Sequence, residues 1–171
     1  MALIPTLTLF DSEARKSKSY DDERQGWIDR LTNELRVFSH SGGEVLFGTD
    51  VGYTDHFDTQ LEFTLMSSAG MDFQQILASF TTVPARRFGY AGRSGRVARG
   101  LDADLTVLQR DPSKDITAFS RVQFTISRGR VIYSAATAEL ATVGGPDKRK
   151  YVPRFADPGE SAYRFSFRRN R

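Results

Sequence analysis

The stretch Glu44-Val45-Leu46-Phe47-Gly48-Thr49-Asp50-Val51-Gly52 decides how the rest of the chain is read. Val45, Leu46 and Phe47 show no polar alternation, so they predict a strand covered on both faces, as in parallel sheets. The run stops at a glycine, a threonine and a carboxylate. Those polar residues sit at the carboxyl end of the strand, where the loops of a parallel barrel converge on one mouth. Asp50 is therefore the first candidate for chemistry. A second reading stays open, in which Asp50 only caps a turn through neighbouring backbone N–H groups.

Outward from this strand, the pattern predicts alternating elements. Ala2 to Phe10 reads as a buried strand with Pro5 near its start, where a missing N–H matters least. A strand beginning at residue 2 implies that preceding sequence is missing. Asp11 to Tyr20 is polar and predicts a surface connection. Asp21 or Asp22 then caps a helix that buries Trp27, Ile28, Leu31, Leu35 and Phe38 and ends at Ser41-Gly42-Gly43. Strand, helix, strand is a βαβ unit with parallel strands and a right-handed crossover.

After Gly52 the polar and aromatic segment Tyr53 to Asp58 lies at the same end of the sheet as Asp50. Asp58 or Thr59 caps a helix with Leu61, Leu65 and Ala69 on one face, ending at Gly70. Glu62 is expected to face solvent or a neighbouring loop. Asp72 caps the next helix, with Phe73, Ile76, Leu77 and Phe80 inward, and Pro84 marks a break or a fresh first turn.

From Gly92 the helical period gives way to short strands: Gly95 to Ala98, Ala103 to Leu108, Val122 to Ile126 and Arg130 to Tyr133. Arg128-Gly129 sits where a tight hairpin needs positive φ, so the last two strands should pair antiparallel. Ala135 to Val143 predicts a short Ala-rich helix.

Composition narrows the functions. The chain has 171 residues and no cysteine, which excludes disulfides and thiolate metal sites, and only His40 and His56 supply imidazole. No apolar run approaches the length of a membrane span, and Met1 to Phe10 is no signal peptide, so a cytoplasmic protein without a membrane partner is expected. The net charge of +3 is uneven: residues 146–171 carry eight Lys/Arg against three Asp/Glu. A near-neutral body with a basic extension is not a nucleic-acid-binding surface throughout. The Tyr and Phe residues among the basic ones from Lys148 to Arg171 leave a single-strand-binding tail as the lesser alternative to a solvated one.

Several motifs recur in a fixed order: Pro5-Thr6-Leu7-Thr8, Phe47-Gly48-Thr49-Asp50, Leu61 to Met66 before Ala69-Gly70-Met71, Ile76-Leu77-Ala78 before Thr81-Thr82 and Pro84-Ala85, Gly95 to Leu105, Asp111-Pro112, and Gly129 to Tyr133. Together they resemble the carboxyl-terminal half of the amidohydrolase superfamily, closest to its imidazolonepropionase-like and prolidase-like members, over about residues 2 to 134.

The resemblance implies an α/β fold: the last two β/α units of a (β/α)₈ TIM-like barrel plus the carboxyl-terminal strands of a small β-sandwich. It divides the chain into a partial barrel at 1–91, a sandwich portion at 92–134, and a short helix with a basic tail at 135–171. It also implies a metal-dependent hydrolase of carbon–nitrogen bonds. Asp50 matches the family's strand-eight aspartate, which binds the metal or its water and shuttles a proton. Tyr53 and His56, on the following loop, are the substrate-binding candidates; a solvated loop imidazole is the competing reading of His56.

Asp104, in the β unit, is expected to brace a turn or strand. The family's His-x-His pair, its lysine or glutamate bridge and two further histidines have no counterpart here. The divalent metal, zinc first, is therefore expected in the complete enzyme and not in this chain alone, which falls short of the three protein ligands usual for catalytic zinc. The expected partners are an amino-terminal barrel half or another subunit, and a small amide substrate. The alternative is a non-catalytic remnant that serves as a binding or subunit-like module.

Overall fold

The computed structural model describes residues 1–16, 21–54 and 57–136. Two short strands, β1 (Ala2–Leu3) and β2 (Glu44–Val45), pair in parallel with Ala2 opposite Glu44 and Leu3 opposite Val45. Between them run helices α1 (Leu7–Lys16) and α2 (Asp21–His40). Helices α3 (Gln60–Ser68), α4 (Phe73–Phe80) and α5 (Thr82–Arg87) follow β2. A second sheet then forms from β3 (Leu105–Leu108), β4 (Val122–Ser127) and β5 (Arg130–Ser134), antiparallel throughout, with a 3₁₀ turn at Ile116–Ser120 between β3 and β4. The fold is α/β, with the parallel pairing expected across the crossover.

The expected strand from Ala2 to Phe10 is corrected. Only Ala2–Leu3 is a strand; Thr6 turns the chain at φ 46° and Leu7 opens a helix. The alternation from Pro5 onward is misleading because Leu7, Thr8, Asp11 and Ser12, the residues α1 buries, fall at helical spacing. The expected surface connection from Asp11 is corrected with it, because α1 continues through Lys16 and Asp11 is buried.

Asp11 ties α1 to α2. Its carboxylate accepts a hydrogen bond from Arg15 Nε at 2.7 Å and from Arg24 Nε at 3.0 Å, with a further contact from Arg24 Nη2. Burial works against this charge, but the hydrogen bonds and attraction of Arg15 and Arg24 outweigh it and hold the carboxyl below its ordinary value.

The core gathers Leu7, Leu35, Val45, Phe63, Met66, Met71, Ile76 and Phe119. Helix α2 buries Ile28 and Leu35 as expected, whereas Trp27 is 57% exposed. One turn of sequence reading accounts for that error: Trp27 adjoins Ile28, and only one of the two can face inward. On α3 the buried stripe is Glu62, Phe63, Met66 and Ala69 rather than Leu61, Leu65 and Ala69. On α4, Ile76 and Ser79 are inside while Leu77 and Phe80 line an open cavity of about 690 Å³ between α4, α5 and β3.

Local signals hold where geometry is local. Gly70 ends α3 at φ +84°. Asp72 and Gln75 form a reciprocal cap: Gln75 N donates to Asp72 Oδ1 at 2.8 Å and Asp72 N to Gln75 Oε1 at 2.9 Å. At the hairpin, Arg128 (φ 50°) and Gly129 (φ 76°) both take the left-handed conformation that a two-residue turn demands. Asp104 braces that turn, accepting from Arg128 N at 2.8 Å and Ser127 Oγ at 2.9 Å. Gly95 to Ala98 is a loop instead of the expected strand, with Gly95 at φ +92° against the Ala85 side chain. Ala135 and Ala136 are helical, and the rest of the helix expected to Val143, like the basic tail, lies outside the described residues.

Two stability outcomes follow from this packing. Ile76 is fully buried, so Ile76→Ala should lower unfolding stability by about 2–5 kcal/mol in urea titration. Asp11 has a lowered carboxyl pKa, so its contribution is complete above the ordinary aspartate value of 3.8 and is lost as pH falls through the lowered one. The stability gap between wild type and Asp11→Asn should therefore hold above pH 3.8 and shrink as the pH falls below it, measured by denaturant midpoints.

Candidate functional site

Beyond Val45 the backbone stays beside the neighbouring strand for one more hydrogen bond, Leu46 N to the Leu3 carbonyl at 2.8 Å. Phe47 N then donates to the Ser79 carbonyl at 3.0 Å, which anchors the strand end on α4. Gly48 follows under Ile4: a Cβ built there would stand 2.6 Å from Ile4 Cγ2 and 3.7 Å from Thr6 Cγ2. The ends of the two parallel strands thus come together at Gly48, where a side chain would force Ile4 to move.

Asp50 stands next, in the left-handed conformation at φ 57°. Asp tolerates this region better than most residues because its short side chain is polar. The turn it starts is closed by its main chain: the Asp50 carbonyl accepts from Tyr53 N at 3.1 Å and Thr54 N at 3.3 Å. The carboxylate makes no hydrogen bond among the described residues and is exposed. The turn-capping reading of this side chain therefore does not apply, and the carboxylate is presented at the carboxyl end of the strand pair.

Tyr53 lies on the same turn, 66% exposed, with Lys16 Nζ 5.6 Å from its ring centroid. Thr49 and Thr54 are buried on either side of Asp50. His56 falls outside the described residues.

Glu62 departs most from expectation. It is fully buried in the first turn of α3 and accepts from Leu7 N at 3.0 Å and Thr8 N at 2.7 Å. These are the first two N–H groups of α1, which have no partner within their own helix. Burial pushes the Glu62 carboxyl above its ordinary value, against the opposing pull of the Thr8 and Leu7 N–H groups. Its neighbour Phe63 stacks on Phe47 with ring centroids 4.6 Å apart. No signal within the sequence near Glu62 could have found this contact, because its partners lie 55 and 54 residues away.

Among the described residues no three His, Cys, Asp or Glu side chains come together to hold a metal. Asp50 offers one carboxylate, so the described residues do not make a metal centre by themselves. Nor does any described helix have the length and apolar character to cross a membrane.

A model of the Amidohydrolase family matches residues 20–132. The chain belongs to that family, whose members are generally metal-dependent hydrolases. Over 104 residues it is 29% identical to the dihydropyrimidinase of Rattus norvegicus, a stretch that makes up 51% of this chain and 19% of the rat protein. Among solved structures, a Xaa-Pro dipeptidase with methionine bound in its active site superposes with a TM-score of 0.66 at 21% identity, covering 79% of this chain and 35% of the dipeptidase. The ochratoxinase of A. niger gives a TM-score of 0.63 at 19% identity, covering 78% of this chain and 32% of its own. At those identities the likeness is one of fold. The chain spans only a minor part of each of these relatives.

Because the strand ends meet at Gly48, Gly48→Ala should cost about 1–3 kcal/mol in unfolding stability, as overpacking does. A denaturant midpoint equal to wild type would show that Ile4 yields without strain.

Proposed function

We propose that this chain supplies the carboxyl-terminal share of a hydrolase that cleaves a carbon–nitrogen bond in a small amide, cyclic amide or dipeptide. In this reading residues 1–91 provide the last two β/α units of a barrel, and residues 92–134 the carboxyl-terminal strands of a small sandwich. The remaining barrel strands come from an amino-terminal segment or another subunit. The observation that carries the reading is Asp50, exposed on a turn at the carboxyl end of a parallel strand pair, in a chain that matches the family over residues 20–132. The similarity to a dihydropyrimidinase supports the carbon–nitrogen substrate class.

The chemistry assigned to this chain is proton transfer. The Asp50 carboxylate accepts a proton from the water that attacks the amide carbon, so a C–O bond forms while the carboxyl becomes neutral. It then returns that proton to the nitrogen as the C–N bond breaks, and the carboxylate is regenerated. Tyr53 and His56 are the substrate contacts proposed on the same loop. A divalent ion, zinc first, would draw its remaining ligands from outside the described residues.

A second reading is favoured by the incomplete donor set together with the exposed Val131 and Ile132 on β5. In it the chain is a binding or subunit-like module without catalysis. The two separate in one experiment, in which the chain is complemented with an amino-terminal amidohydrolase half and tested for dipeptide and cyclic-amide hydrolysis. Turnover that falls by about 10²–10⁴-fold in Asp50→Asn, with divalent metal retained, is the expected outcome. A folded complex without metal or turnover would leave the module reading standing.

A further inference from the structure

Two consecutive residues of α3 hold the two strand ends of the site. Glu62 takes the first two N–H groups of α1, and α1 begins immediately after the Pro5-Thr6 turn. Phe63 stacks on Phe47, the residue just before Gly48. Thr6 is at φ 46°, a conformation that a β-branched residue adopts only when its surroundings impose it. The side chains of Ile4 and Thr6 lie over Gly48, and Asp50 follows two residues later in a left-handed conformation of its own.

We propose that Glu62 is a positioning residue: by holding the first turn of α1 it fixes Ile4 to Thr6 over Gly48, and so sets where the Asp50 turn stands, while Phe63 fixes the same turn through Phe47. The geometry suits the task. A carboxylate accepts two N–H bonds at once, whereas an amide at the same place would turn one donor toward another. Glu62 also lies in the first turn of its own helix, so the N-termini of α1 and α3 both face it. Both helix dipoles then favour a negative group there. Among the described residues no charged side chain competes for it; its ionisation is shifted by burial and by the hydrogen bonds from Thr8 and Leu7. The assignment rests on the hydrolase reading only in naming Asp50 as the residue positioned.

The test is ¹H–¹⁵N spectroscopy and amide hydrogen exchange on the full 171-residue chain, comparing wild type, Glu62→Gln and Ile28→Val. In Glu62→Gln the amides of Leu7 and Thr8 should exchange about tenfold faster or more. The resonances of Gly48, Thr49 and Asp50 should move with them. Ile28→Val, a core change on α2, should speed exchange broadly without moving Gly48 to Asp50. If Glu62→Gln does not fold, Glu62→Asp, which keeps the charge on a shorter arm, should displace the same resonances by less. Changes confined to Leu7 and Thr8 in whichever variant folds would overturn the proposal and leave Glu62 a helix cap only. Neither measurement uses metal or substrate, so failure here is separate from failure of the hydrolase reading.

Discussion

A helix that starts inside a protein must find partners for its first N–H groups, and in this chain that requirement is met by one carboxylate from the far side of the site. Without Glu62, Leu7 N and Thr8 N would be buried donors lacking an acceptor, each at a cost of about 1–3 kcal/mol. Because α1 is tied to α2 through Asp11 and Arg24, the placement of both helices is referred to α3. The strand pair is too short to do this itself, with two residues in each strand.

This dependence explains which parts of the structure could be read in the sequence. The hairpin at Arg128-Gly129, the cap at Asp72 and the glycine end at Gly70 are set by residues within a few positions of one another, and all three were legible. So was the parallel pair across the crossover, since Val45 and Leu46 carry an unbroken apolar run. Family membership was legible as well, because many short motifs in order carry more information than any one of them. What escaped reading depends on distant partners. Leu7 to Phe10 alternates like a strand, and the acceptor that meets the start of a helix there, Glu62, lies 54 and 55 residues away. Helical spacing tolerates an error of one position, which separates Trp27 from the buried Ile28, and Leu61 and Leu65 from the buried Glu62 and Met66.

Around Asp50 the sequence carries only the local signal. Gly-Thr-Asp marks a strand end, and the structure places that carboxylate in the open with its turn closed by main-chain bonds. The sequence did not indicate that Gly48 is needed for the approach of Ile4, or that Phe47 is gripped from α3. Both are contacts between segments more than ten residues apart, and they fix the orientation of a loop rather than its composition.

Phe119 comes from the short helical turn between the strands of the second sheet, yet its ring meets Phe63 at 5.2 Å and Phe80 at 5.1 Å. The units on either side of residue 91 are thus joined through an aromatic cluster. A protease that cut there would not release two pieces, since the aromatic plug would hold the halves together until one of them melted.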